Sequence, residues 1–174
     1  MKYADTYSKL ADFGRELLNK KSLVEGLPLI SKYVKDVIHA DRCSIFIYDT
    51  QDKELWTTIA DGIEKIVVSS ESGLVGHTIE VKKPIIENNP YDNPLFLKEI
   101  DIQTGYKTKN IVTAPIFDSQ RKIIGVLELL NKEDGFNNED VKFMIFFAHY
   151  ISGFLELTNL YLLEDMKEKK NEKI

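Results

Sequence analysis

Five polar residues in the second half of the chain have the types and spacing to orient a small molecule. Asp101, Thr104, Thr108 and Asn110 share one loop, and Glu128 follows on a strand-like run. Two carboxylates, two hydroxyls and an amide beside apolar runs suit a pocket whose few polar groups set orientation while its walls supply burial. Upstream, Ser72 precedes a candidate helix over Gly73–Val81, whose first N–H groups and positive dipole end suit a phosphate. No Lys or Arg is obliged to neutralise such an anion, although Lys107 and Lys109 flank the loop. The alternative for Thr104-Gly105 and for Asn88-Asn89-Pro90 is turn chemistry alone.

Catalytic patterns are missing from this text. It has no phosphate-loop glycine pattern, no serine nucleophile elbow and no metal-dependent hydrolase cluster. His39, at a helix end, and His149, amid core aromatics, read as structural. His77 borders the candidate pocket, which leaves it a ligand role as an alternative. Three separated histidines without paired carboxylates make no recognisable metal site. The single cysteine, Cys43, has no base or cation beside it in sequence and reads as packing. The expectation is a regulatory domain with no catalytic residues, no metal and no required cofactor.

The elements that must position these residues follow from periodicity. Residues 3–19 and 22–39 predict two helices, the second with a Ser22–Glu25 capping box and with Pro28 marking a kink or boundary. Residues 43–49 form a strand in which Cys43 and Ser44 face opposite sides, and residues 54–61 return as its hairpin partner. A short strand at 66–68 leads to the helix Gly73–Val81, capped by Ser72, and then to an extended piece at 84–87. Residues 88–110 read as a long loop with a helical turn at about 95–99; loops of that length are frequently functional. Ile111–Phe117 and residues 122–130 predict an antiparallel hairpin. Asn137 or Asn138 opens a long helix with Val141, Met144, Ile145, Ala148, Ile151, Leu155, Thr158 and Leu162 at helical spacing. The order α-α-β-β-β-α-β-loop-β-β-α predicts an α+β domain: a mainly antiparallel sheet with helices on one face and a ligand-pocket loop on the other. The division expected is an N-terminal helix over 1–21, the main domain over 22–163, and a charged tail or linker start over 164–174.

Composition bounds the partners. The chain has 174 residues, 43% hydrophobic, enough for one packed domain and too apolar for a disordered segment. Its net charge of −5 argues against a nucleic-acid or anionic-membrane surface, both of which need clustered cations. The longest nearly apolar run, residues 143–157, is broken by His149, Ser152, Gly153 and Glu156, and Asp5 stands where a signal peptide would be apolar. A cytoplasmic domain is expected. Phe143, Phe146, Phe147, Tyr150, Phe154 and Tyr161 surround the last helix beyond what one face requires, which points to a second partner surface and a homodimer.

The segments PIIENNPYDNPLF, DIQTGYKTKNIVTAPI and GVLELLNKEDGFNNED together resemble a GAF domain, of the cyclic-nucleotide-binding type found in phosphodiesterases and some adenylate cyclases. That type carries Asn-Lys, three residues, Phe, three residues, then Asp-Glu; here the match is Asn131, Lys132, Phe136 and Asp140, with Val141 in place of the Glu. The resemblance implies ligand contacts at Ser44, Asp61, Leu74, Val75, Asp101, Thr104, Thr108 and Glu128, with Lys132 and Asp140 as a salt bridge bracing the lid. It implies cAMP or cGMP as ligand, pairing of two copies through the first and last helices, and an output domain served by the C-terminal helix. Three positions depart from the pattern. Ala60 stands where an aromatic would stack on the base, a loss of about 1–3 kcal/mol, and Leu97 also replaces an aromatic. With Val141, these departures favour two alternatives: a ligand-free dimerisation and relay module, or a sensor of a non-nucleotide metabolite. Reductase and bilin-carrying relatives need cysteines that this chain does not match.

Overall fold

The computed structural model describes residues 2–20, 23–60 and 65–157. Two helices, α1 (Lys2–Leu17) and α2 (Leu23–Ile38), precede β1 (Arg42–Asp49), β2 (Glu54–Ala60) and β3 (Val67–Ser69). Then come α3 (Gly73–Val81), β4 (Ile85–Glu87), a 3-10 turn at Pro90–Asp92 and α4 (Lys98–Thr104). The chain closes through β5 (Ile111–Phe117), β6 (Ile123–Leu130) and α5 (Asn138–Leu157). The strands form one antiparallel sheet in the order β3-β2-β1-β6-β5-β4. This is the α+β architecture that the sequence predicts.

The period-two alternation of the central strands decides which residues meet the pocket. Cys43, Ile45, Ile47, Leu127 and Leu129 point into a core roofed by α1, α2 and α5, with Phe13, Ile30, Met144, Phe147 and Ile151 filling it. Phe46 and Val126 point to the opposite face, where α3 contributes Val75 and β2 contributes Leu55. By the same alternation Ser44 and Glu128, which are register partners, share that second face.

Gly125 is required where the two central strands meet. A Cβ there would stand 2.3 Å from the carbonyl oxygen of Phe46, a backbone atom with no room to yield. Gly125→Ala is therefore expected to cost about 1–3 kcal/mol of stability through overpacking, read as a lower urea midpoint with an unchanged slope. An unshifted midpoint would show that the strands separate there at no cost.

Several expectations change in detail. Pro28 neither ends nor divides α2, which runs unbroken through it; lying near the helix start, the proline removes one ladder bond and leaves the rest. The helical turn placed at 95–99 is α4, a few residues further on. Ser72 occupies the N-cap position of α3 without making the cap bond, and its hydroxyl donates to the Ser69 carbonyl. Asn137 does cap α5: its Oδ1 accepts from the N–H groups of Glu139 and Asp140, and Asp140 accepts from the Asn137 N–H. Ser22, Thr158, Tyr161 and Leu162 lie outside the described residues.

The stripe on α5 is narrower than periodicity suggested. Met144, Phe147, Ala148, Ile151 and Leu155 are buried, whereas Ile145 is 43% exposed and His149 faces solvent rather than core aromatics. Much of the surplus aromatic surface is covered within the same chain. Phe13 of α1 packs edge-on against Phe147 and Tyr150, and α1 docks on α2 through a bond from the Tyr33 hydroxyl to Glu16 at 2.6 Å. That bond, with burial, pushes the Tyr33 hydroxyl up to about 12. Among the described residues no helix is long and apolar enough to cross a membrane.

Candidate functional site

The pocket face holds a cavity of about 60 Å³. Its floor is β1 and β6, with Ser44, Phe46, Glu128 and Leu130; one wall is the start of α3; its roof is α4 and the loop after it. Gly73 makes the wall possible. It sits at φ +72°, which a side chain rarely adopts, and a Cβ there would press on Leu97 at 3.0 Å. The first turn of α3 thus presents Gly73, Leu74 and Val75 to the cavity with no side-chain cap over their N–H groups.

Seven predicted ligand residues border this one cavity: Ser44, Leu74, Val75, Asp101, Thr104, Thr108 and Glu128. Asp61 lies outside the described residues; its neighbour Ala60 pairs with Ser44 across the β1–β2 register. The seven are not equivalent. Asp101 is 7% exposed and its carboxylate is occupied: Oδ1 accepts from the Thr108 hydroxyl, and Oδ2 from the Thr108 N–H and the Tyr91 hydroxyl, each at 2.7 Å. Thr104 donates its hydroxyl proton to the Ile100 carbonyl at 2.8 Å and accepts from the Tyr106 N–H. With Gly105 at φ +70° behind it, Thr104 finishes α4 as a helix terminus.

Glu128 is the acid with capacity to spare. It is 9% exposed at the cavity floor and accepts a hydrogen bond from Ser44. Burial, then the nearby Asp101 charge, push its carboxyl up to about 7, and the Ser44 bond only partly offsets them. Near neutral pH it therefore exists in both forms, able to donate or to accept. Beneath it Thr113, its register partner on β5, meets the Thr78 hydroxyl at 2.6 Å; since Thr78 gives its proton to the Leu74 carbonyl, Thr113 is the donor.

Asn110 leaves the predicted polar ring. Its amide donates to the Lys132 carbonyl and accepts from the Lys132 N–H, joining β5 to the end of β6. The signature residues lie outside the cavity at joints of the same kind. Asn131, at φ 57°, accepts from the Lys109 N–H and donates to the Lys107 carbonyl, fixing the end of the loop. Lys132 reaches both Asp140 oxygens at 2.6 and 2.8 Å. Phe136 is 4% exposed and held by the Asn88 amide at both backbone groups. Val141 packs against the helical core. His77 bonds Glu80 at 3.0 Å and does not border the cavity. Cys43 faces the helical core, on the far side of the sheet from the cavity.

Among the bordering residues that the sequence did not single out are Arg42, Phe96 and Tyr106. Arg42 is two residues before Ser44, so strand alternation places it on the pocket face; Tyr106 lies between the two loop threonines. The Tyr106 ring covers the Arg42 guanidinium at 3.7 Å. The cavity thus recovers aromatic surface from its roof where Ala60 offers none on β2. Among the described residues no group of three potential metal ligands occurs, and no histidine is among the residues that border the cavity. The arrangement can bind and orient.

Comparison with known proteins agrees with this geometry. A family model described as GAF domain matches residues 22–155. A probable 3',5'-cyclic phosphodiesterase, pde-5, of Caenorhabditis elegans is 26% identical over a 147-residue alignment, with 76% of this chain covered but only 20% of that relative. The chain accordingly spans about a fifth of the curated relative it matches. Among solved structures, the GAF domain of a phosphoenolpyruvate-protein phosphotransferase from Coxiella burnetii superposes with TM-score 0.79 at 20% identity, covering 88% of this chain and 94% of that one. A free methionine-R-sulfoxide reductase from Neisseria meningitidis superposes with TM-score 0.76 at 15% identity, covering 91% and 93%. At those identities the likeness is one of fold.

Proposed function

The chain belongs to the GAF domain family of small-ligand sensor and regulatory modules, and from that premise we propose that it senses a cyclic nucleotide, cAMP or cGMP, under the roof of α4. The observation that carries this reading is the cavity's two-ended chemistry. The Ser44–Glu128 pair on the floor offers a donor and an acceptor to a base edge. The uncapped first turn of α3 offers N–H groups to a phosphate. The phosphodiesterase relative gives independent support. In this reading ligand binding moves the roof, and the joints at Asn131 and Lys132–Asp140 pass the movement to α5 and from there to an output domain, with a second copy pairing along the helical layer. A regulatory rather than reductive role is supported by Cys43, the single cysteine, facing away from the cavity.

A second reading, a ligand smaller than a nucleotide, is favoured by the cavity volume. At about 60 Å³ the cavity is well below the roughly 300–1,000 Å³ of ordinary small-molecule pockets, so in the first reading a nucleotide needs the roof to lift. Thermal melts of protein freed of bound small molecules, with and without each nucleotide, separate the two. At about 100 times the dissociation constant, binding adds about 2.7 kcal/mol, or about 5–10 °C for a domain of this size. A shift with one nucleotide assigns ligand and base together. No shift with either sinks the nucleotide reading and leaves the smaller ligand.

A further inference from the structure

Access to the cavity depends on what fastens its roof. Tyr91 and Thr108 both donate to Asp101 within the roof, while the Asn131 side chain at the end of β6 ties down the backbone of Lys107 and Lys109. Tyr106 makes a further tie, at the edge of the cavity. The hydroxyl crosses to Oδ2 of Asp41 at 2.6 Å, a contact spanning 65 residues of sequence. Its ring lies on the guanidinium of Arg42, the first residue of β1. Asp41 is itself anchored, because its N–H donates to the Leu130 and Asn131 carbonyls at the end of β6. The acceptor is therefore part of the sheet and the donor part of the roof. Burial and the Asp41 bond also hold the Tyr106 hydroxyl well above the usual tyrosine range, so it remains a donor at any physiological pH.

Resting on the reading that the cavity takes a ligand, we infer that the Tyr106 contact with Asp41 and Arg42 is a latch that holds the roof down over the cavity, and that a ligand enters when it releases. A latch of this kind sets the local opening of α4 and the following loop without setting the stability of the sheet. Tyr106→Phe removes the hydroxyl and keeps the ring on Arg42, which makes it the cleanest variant.

Hydrogen–deuterium exchange reads the opening directly, with deuterated water as the probe. The amides of Gly105 and Thr108, which are bonded inside the roof to Asp101, are expected to exchange about 2–10-fold faster in Tyr106→Phe, the range for one ordinary hydrogen bond, since this one is exposed to solvent. The amides of β1 and β6 are expected to keep their rates. Asp41→Ala should match Tyr106→Phe, and the double variant should add nothing further, because both remove one bond. Unchanged roof exchange would overturn the latch. Acceleration spread equally over roof and sheet would also overturn it, since the contact would then serve the fold as a whole. No nucleotide is present in this experiment, so its failure and the failure of the nucleotide reading are told apart.

Discussion

Glu128→Gln is expected to raise the melting temperature by about 6–12 °C at pH 8 and to leave it nearly unchanged at pH 4. The folded chain holds this carboxyl at about 7, against 4.5 for an unburied glutamate. Below the lower value both states carry the proton, so burial costs nothing in differential ionisation. Between the two values the unfolded chain gives the proton up while the folded chain keeps it, so stability falls as pH rises. Above about 7 the loss is complete, and a gap of this size corresponds to about 3 kcal/mol. Glutamine imitates the neutral acid and still accepts from Ser44, so the variant escapes the loss. The melting shift follows from about 2–4 °C per kcal/mol for a chain of this length. Equal melting of the two proteins at pH 8 would mean that water reaches the carboxylate, and the floor of the cavity would have to be redrawn as open.

The cost at Glu128 is itself an argument about function. A buried acid at a cavity floor, with its pKa pushed up to about 7, costs stability above that pH. Stability does not explain such a residue, which supports the proposed role of Glu128 in recognition. Asp101 is the contrasting case. It too is buried, but its oxygens accept three hydrogen bonds from its own loop, so its charge is matched and its work is to shape the roof.

How much of this was legible in the sequence follows the range of the forces involved. Strand alternation is local, and it alone puts Ser44 and Glu128 on one face and Cys43 on the other, as the structure has them. The bounds of α3, β4 and β5 were readable for the same reason. The bonding of the loop was not. Nothing in the order Asp101, Thr104, Thr108, Asn110 says that the first and third bond each other while the fourth turns to Lys132, because those choices depend on where β6 ends. Tyr106 was missed because its partners, Asp41 and Arg42, come from the far end of the domain. The aromatic surplus on α5 pointed to a second partner surface, but periodicity on one helix cannot say whether that surface is a second copy or, as with Phe13, the chain's own α1.

Asp140→Ala is expected to cost about 3–5 kcal/mol, the usual loss when one member of a buried ion pair is removed. The carboxylate is 7% exposed, its Lys132 partner 19%, and both Asp140 oxygens are engaged by the ammonium. Removing it leaves a half-buried cation with no counter-charge at the joint between β6 and α5, and strips the Asn137 N–H of its acceptor at the first turn of α5. Asp140→Asn should fall between, keeping an acceptor for Asn137 while losing the charge. The informative comparison is the pair Lys132→Met with Asp140→Leu. If the salt bridge serves only to close the fold, the apolar pair should recover most of the loss, since neither desolvated charge remains. If it also sets the angle at which α5 leaves the pocket, the double variant should melt near the parent protein yet lose the coupling between ligand and helix. Urea unfolding of the three proteins decides the energetic half. A parent-like midpoint for Asp140→Ala would show the pair to be solvated, and Lys132 would then have to be read as a surface cation with no part in joining roof to helix.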